Sequence, residues 1–279
     1  MGSVIGALGN PEAVAHLGAF AGPRVGFVLG SGWGHFIEST EVVAACPYEE
    51  IPGFGESTVA GHAGRLVRGR SAGVEYLAMQ GRLHHYEGHS LERIAGTIAV
   101  LYGLGVRELV VTCAAGGVNP AYRVGDLVLI HDYVNFMLKS PVRGAVDALN
   151  AFTLPSARLV RMAEDAAEAA AIPLRKGVLF SSKGPTYETP AEVRMARQLG
   201  ADVVSMSTAP ELIAAASLGM EAVAFSCVTN MAPGVVPGRE VNHEEVIEVM
   251  EARKGRFSEL LSAVLARFDA GRVAGGDRG

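Results

Sequence analysis

Runs of valine, leucine and isoleucine alternate with stretches of helical spacing along nearly the whole chain, and this alternation limits the fold more than any other feature. RVGFVLGS (24–31), ELVVTCAAGG, DLVLIHDYV, KGVLFSSKG, Asp202–Met206 and Glu221–Val228 read as strands, and GRLVRGRSAGVEYLAMQG reads as a hairpin turning near Ser71–Gly73. Near-continuous apolar strands suit a sheet covered on both faces, an α/β architecture. LERIAGTIAVLYGLG, Leu154–Ala171, Pro190–Leu199 and Pro210–Leu218 read as helices between them. A last helix is signalled by Asn242 with Glu245 three residues on, a capping pattern. Its Val246, Met250, Phe257, Leu261, Val264 and Phe268 recur at helical spacing and form a core face. The expectation is a single domain over residues 1–269, followed by a disordered tail, AGRVAGGDRG, over 270–279.

Composition narrows the function classes. A chain of 279 residues can bury a sizeable core, and its net charge of -5 with a pI near 5.9 leaves no basic footprint for nucleic acid. Cys46, Cys113 and Cys227 are scattered without a CxxC pair and read as buried thiols in a reducing compartment. The N-terminus lacks a basic start, and no apolar run reaches the roughly 18 residues of a membrane span. The expected setting is soluble and cytoplasmic, with no membrane partner.

Chemistry gathers where strands end. The first strand delivers Gly30-Ser31-Gly32-Trp33-Gly34, the hairpin delivers MQGRLHHYEGHS (79–90), and the next strand delivers Ala114-Ala115-Gly116-Gly117. Later strands deliver Tyr187-Glu188-Thr189, Met206-Ser207-Thr208 and Thr229-Asn230. GSGWG is not a dinucleotide fingerprint, because His35 stands where the third glycine is needed, and there is no GxxxxGK[ST]. Taken singly, Arg82 would be expected to pair with Glu87 at the surface, and His84 or His85 to be an ordinary core or surface histidine. Taken together, the Ser31 and Ser207 hydroxyls, the Arg82 guanidinium, the His84 imidazole and the Ala114 N–H complement a phosphate without a metal. Adjacent His84 and His85 lack an HExxH or paired Cys/His frame, so no metal site is expected.

LGSGWG, GHAGRL, MQGRLHHYEGHS, TCAAGGVNPAYRVGDLVLIHDYVN, GPTYETPAEVRMARQLGADVVSMSTAPE, FSCVTNMAPG and NHEEV resemble, in order, the motifs of the trimeric purine nucleoside phosphorylases. The resemblance implies a single α/β domain with a mixed, partly barrel-like sheet flanked by helices, assembled as a homotrimer. It implies reversible phosphorolysis of 6-oxopurine nucleosides such as inosine and guanosine. Inorganic phosphate is then a co-substrate and no cofactor is needed. Phosphate-site positions fall on Ser31, His62, Arg82, His84, Ala114 and Ser207. Ribose positions fall on Tyr86, Met206 and His243, and base positions on Tyr187, Glu188 and Asn230. Catalytic roles are implied for Glu188, Asn230 and His84.

Four positions depart from the family pattern. Cys113 replaces an asparagine, Trp33 enlarges the first loop, and Ser205 replaces a glycine. Ala145 aligns where a phenylalanine covers the ribose across the trimer interface, leaving Phe136 or Phe152 as possible substitutes. Methylthioadenosine or methylthioinosine phosphorolysis is the alternative within the family, and Asn230 argues against it because that branch carries aspartate. A non-catalytic purine- or phosphate-binding protein would have lost one of Arg82, His84, Glu188 or Asn230, and all four are present. A nucleosidase using water is the remaining rival.

Overall fold

The computed structural model describes residues 10–59, 61–142, 155–238 and 241–274. Nine strands alternate with helices in these segments. They are β1 (Val25–Leu29), β2 (Glu41–Pro47), β3 (Arg65–Ser71), β4 (Val74–Gln80), β5 (Glu108–Gly117), β6 (Leu127–Asn135), β7 (Leu174–Ser181), β8 (Val203–Ser205) and β9 (Glu221–Met231). The helices are α1 (Pro11–His16), α2 (Leu91–Gly103), α3 (Ala157–Ala169), α4 (Pro190–Gln198), α5 (Ala209–Ser217) and α6 (His243–Ala274).

The strands form one mixed sheet in the order β2-β3-β4-β1-β5-β8-β7-β6-β9, and β9 also pairs with β5. That second pairing closes β5, β8, β7, β6 and β9 into a ring, with β1, β4, β3 and β2 as an open wing. Closure leaves these five strands no unpaired edge. β2 is the wing's exposed edge, with Val42 and Val43 each 46% exposed. Its outward valines carry no buried alternation, so periodicity does not reveal it.

Two apolar layers cover the sheet. Leu101 of α2 and Leu212 of α5 pack with Val28, Leu77 and Val111 on one face. Leu159 of α3 and Phe257 and Leu261 of α6 pack with Phe27, Val110 and Phe225 on the other. The predicted core positions of α6 are all buried. Phe257 is fully buried and stacks on Trp33 at 4.4 Å between ring centroids. Truncating such a side chain to alanine typically costs about 3–5 kcal/mol.

Helix ends follow local chemistry. The Asn242 side chain accepts from the Glu245 N–H at 2.7 Å, as its capping pattern predicts. α3 is shorter than Leu154–Ala171 because Ser156 caps it, accepting from the Leu159 N–H at 3.4 Å, while Ala171 leaves the helix at φ +52°. α6 runs to Ala274, into the segment expected to be a disordered tail; residues 275–279 lie outside the described ones. All three cysteines are free and buried, and burial pushes the Cys227 thiol up to about 12. Among the described residues no helix is long and apolar enough to cross a membrane.

Candidate active site

The carboxyl end of β5 meets the start of β8 through a short antiparallel pairing, Gly116 opposite Val204 and Gly117 opposite Val203, so that β8 runs back alongside β5. β1 and β9 flank β5 in parallel, and β4 runs parallel to β1. Residues that follow β1, β4, β7 and β8, with residues from the ends of β5 and β9, line one pocket. It is lined by Ser31, Arg82, His84, Tyr86, Ala114, Tyr187, Glu188, Met206, Ser207 and Asn230, all candidates from the sequence. His62 stands behind them and does not line it. Its Nε2 lies 3.3 Å from Ser31 Oγ, and its ring stacks on His84 at 5.3 Å. His243 opens α6, but its side chain lies outside the described residues, as do Ala145 and Phe152. Phe136 stacks on Phe180 at 4.7 Å and does not line the pocket.

Arg82 is not the surface residue that a lone arginine suggests. It is 1% exposed, its Nη1 donates to Glu211 at 3.1 Å and to Thr208 Oγ1 at 3.3 Å, and its Nη2 donates to the carbonyls of Val28 and Thr112. Its Nε is buried and has no hydrogen-bond partner among the described residues. The turn leading to Arg82 needs glycine: Gly81 has φ +101°, and a Cβ there would lie 2.7 Å from the His62 Cβ.

Glu87 pairs instead with His84. One of its oxygens accepts from the His84 N–H at 2.8 Å and from ring Nδ1 at 2.7 Å, while the other accepts from Thr58 N–H and hydroxyl at 2.6 and 2.8 Å. Burial raises the Glu87 carboxyl, but the bonds from His84 and Thr58 outweigh it and bring it down to about 2. An ionised Glu87 only accepts, so Nδ1 of His84 carries a proton and Nε2 remains for a ligand. Burial holds His84 below its ordinary value, with the Glu87 bond opposing and the Arg82 charge adding to the effect. Burial, then the charges of His84 and Arg82, bring His62 down to about 3, so its ring is neutral. The Tyr86 ring stacks on His84 at 4.7 Å, and burial pushes its phenol up to about 12, leaving it protonated.

The opposite wall holds an amide and an acid. In the β5–β9 ladder the register slips at Thr229, so that Gly116 faces Asn230 directly. This bulge re-aims the Asn230 side chain. Thr229 Oγ1 donates to Asn230 Oδ1 at 3.0 Å, and the amide nitrogen, 3.2 Å from the Met231 carbonyl, is left as the donor face. Glu188 is 8% exposed, and its Oε1 accepts from the Ser182 hydroxyl at 2.7 Å. Tyr187, 40% exposed, forms the outer wall. Ser205, which stands where the family pattern has glycine, lines the floor with its hydroxyl 3.3 Å from that of Ser207.

Trp33, expected to enlarge the first loop, turns into the core. It is fully buried and donates from Nε1 to the Cys113 carbonyl at 3.1 Å, pinning the Ser31 loop to β5. Sequence reasoning missed Glu211 and Ser57 and gave Thr208 and Thr229 no role; Glu211, Thr208 and Ser57 hold Arg82 from behind, while Thr229 lines the pocket beside Asn230. Thr208-Ala209-Pro210-Glu211 has capping-box spacing, a signal that could have exposed Glu211. Among the described residues no group of three or more His, Cys, Asp or Glu side chains could hold a metal.

Residues 24–266 match the family model of the phosphorylase superfamily. The chain is 44% identical to purine nucleoside phosphorylase 1 of Bacillus subtilis over 253 residues, covering 88% of this chain and 93% of that protein. It is 39% identical to the purine nucleoside phosphorylase of Rattus norvegicus over 255 residues, covering 87% and 88%. A crystal structure of the Schistosoma mansoni purine nucleoside phosphorylase with adenosine superposes with a TM-score of 0.84 at 32% identity, covering 92% of this chain and 96% of that one.

Proposed function

The chain belongs to the purine nucleoside phosphorylases of the phosphorylase superfamily, and from that premise we propose that its strand-end pocket phosphorolyses 6-oxopurine nucleosides. Inosine and guanosine, or their deoxy forms, would react reversibly with inorganic phosphate to give the free base and (deoxy)ribose 1-phosphate in purine salvage. The reaction needs no metal or organic cofactor. The observation that carries this reading is the convergence on one pocket of an arginine–histidine–serine half and an acid–amide half.

Cleaving the glycosidic bond builds positive charge on the sugar and negative charge on the purine. Arg82, Ser31, Ser207, the Ala114 N–H and His84 hold phosphate beneath the anomeric carbon, with His84 Nε2 accepting a P–OH proton. Held there, the nucleophile avoids the entropic cost of encounter, and its charge stabilises the cationic sugar. Tyr86, Met206 and His243 bound the ribose. The Asn230 amide donates to purine N7 as electrons enter the ring, and Glu188 accepts from N1–H. Tyr187 stacks on the base.

A carboxylate opposite N1 suits guanine and hypoxanthine, whereas adenine presents a lone pair there. The S. mansoni relative has been crystallised with adenosine and with inosine, and its isoform 2 with cytosine and ribose-1-phosphate. That scaffold admits several bases as ligands, so the preference proposed here is one of turnover. We further read the protein as cytoplasmic and homotrimeric, without nucleic-acid or membrane partners. A phosphate-dependent assay on inosine, guanosine, xanthosine and adenosine tests the reading. Turnover of inosine and guanosine that requires phosphate is expected; hydrolysis without phosphate, or adenosine turned over as fast as inosine, would overturn it.

A further inference from the structure

Glu211 is a buried acid that the proposed chemistry does not use. It is 2% exposed and does not line the pocket. Burying a carboxylate is costly unless its oxygens find donors, and both have one. Oε1 accepts from Arg82 Nη1 at 3.1 Å, and Oε2 accepts from the Thr208 backbone N–H at 2.9 Å. The two donors sit on separate segments, Arg82 after β4 and Thr208 after β8, and Ser207 immediately precedes Thr208.

Thr208 has φ +82° and ψ -49°, a conformation that a β-branched residue keeps only when its surroundings impose it. Its bond to Glu211 is one such constraint, and the Arg82 contact to Thr208 Oγ1 is another. Return of Thr208 to an ordinary backbone conformation would swing its N–H off Glu211 and displace the Ser207 hydroxyl.

We propose that Glu211 is a positioning residue for phosphate. It locks the Arg82 guanidinium and the Ser207–Thr208 turn into one register, so that both meet the same anion without rearrangement. Protein acceptors engage both terminal nitrogens of Arg82, which keeps the guanidinium from swinging away from the pocket that Arg82 lines. This inference rests on reading the pocket as the phosphate site.

Glutamine at this position keeps the shape but offers only one acceptor oxygen, and sets its NH2 against either Arg82 or Thr208. Glu211→Gln should raise the phosphate KM about tenfold, the loss of one hydrogen bond between charged groups, while the inosine KM moves less than about twofold. An unchanged or lowered phosphate KM overturns the proposal, as does an equal rise in both constants. If that chain does not fold, Thr208→Gly supplies a background in which the positive φ is no longer strained. In Thr208→Gly/Glu211→Gln the phosphate KM should remain about tenfold above that of Thr208→Gly alone; equality overturns the role. A Ser31→Ala chain is measured alongside. If its phosphate KM is unmoved, the phosphate-site reading falls and the inference with it. If it rises while that of Glu211→Gln does not, only the role of Glu211 falls.

Discussion

Glu87 grips His84 at two points, the backbone N–H at 2.8 Å and ring Nδ1 at 2.7 Å. Because the Glu87 carboxyl is brought down to about 2 from an ordinary 4.5, its contribution to stability is fully present above 4.5 and is lost as pH falls toward 2. Glu87→Gln should flatten acid unfolding in that window, followed by circular dichroism. At neutral pH it should raise the phosphate KM about threefold to tenfold, since His84 loses its ionised partner.

His62 sets a second, earlier acid window. A ring brought down to about 3 from 6.5 stabilises the fold fully above 6.5, and that stability drains away as pH falls toward 3. Urea unfolding at a series of pH values should show this loss in the native chain and not in His62→Gln. A ring that NMR finds protonated at pH 6 would contradict the assignment.

Asn230→Ala should lower kcat about 100-fold to 1000-fold, the usual loss of a donor aimed at developing charge, with the phosphate KM nearly unchanged. Arg82→Ala should chiefly raise the phosphate KM. It should also destabilise the fold by about 3–5 kcal/mol, because Glu211 is left buried without its partner. Steady-state kinetics and thermal melts separate these outcomes, and the reverse pattern would mean that the halves of the site are exchanged.

Ser182→Ala removes the donor that holds Glu188 Oε1 at 2.7 Å. The inosine KM should rise about threefold to tenfold while the phosphate KM stays constant. A change in phosphate KM alone would place Ser182 outside base recognition.

Gly30→Ala tests close packing behind the phosphate half. An added Cβ would lie 2.6 Å from the Thr112 carbonyl and 3.3 Å from Arg82 Nη2, contacts that only backbone movement relieves. Overpacking of this kind costs about 1–3 kcal/mol. The melting temperature should fall and the phosphate KM should rise together.

The strands and their polar exits were legible because buried β-structure writes apolar runs and because glycine and polar residues cluster where chains turn. The candidates that line the pocket came from this pattern together with the family resemblance. What sequence could not reveal depends on partners distant along the chain. The β5–β9 pairing that closes the ring joins Glu108 to Glu221, and no local pattern announces it. β9 was expected to stop at Val228; it runs to Met231 because the slip at Thr229 lets pairing continue. Arg82 looked like a partner for Glu87 because the two are near in sequence, whereas the fold gives it Glu211 from another segment.

Trp33, fully buried beneath the Ser31 loop, has a consequence for the timing of assembly. Its indole stacks on Phe257 and donates to the Cys113 carbonyl, so it touches the last helix and the central strand together. The loop therefore reaches its final shape only after the C-terminal part of the chain has docked. A product truncated before Phe257 would keep most of the pocket-lining residues yet lose the ring that seats Trp33, and with it the shape of the Ser31 loop.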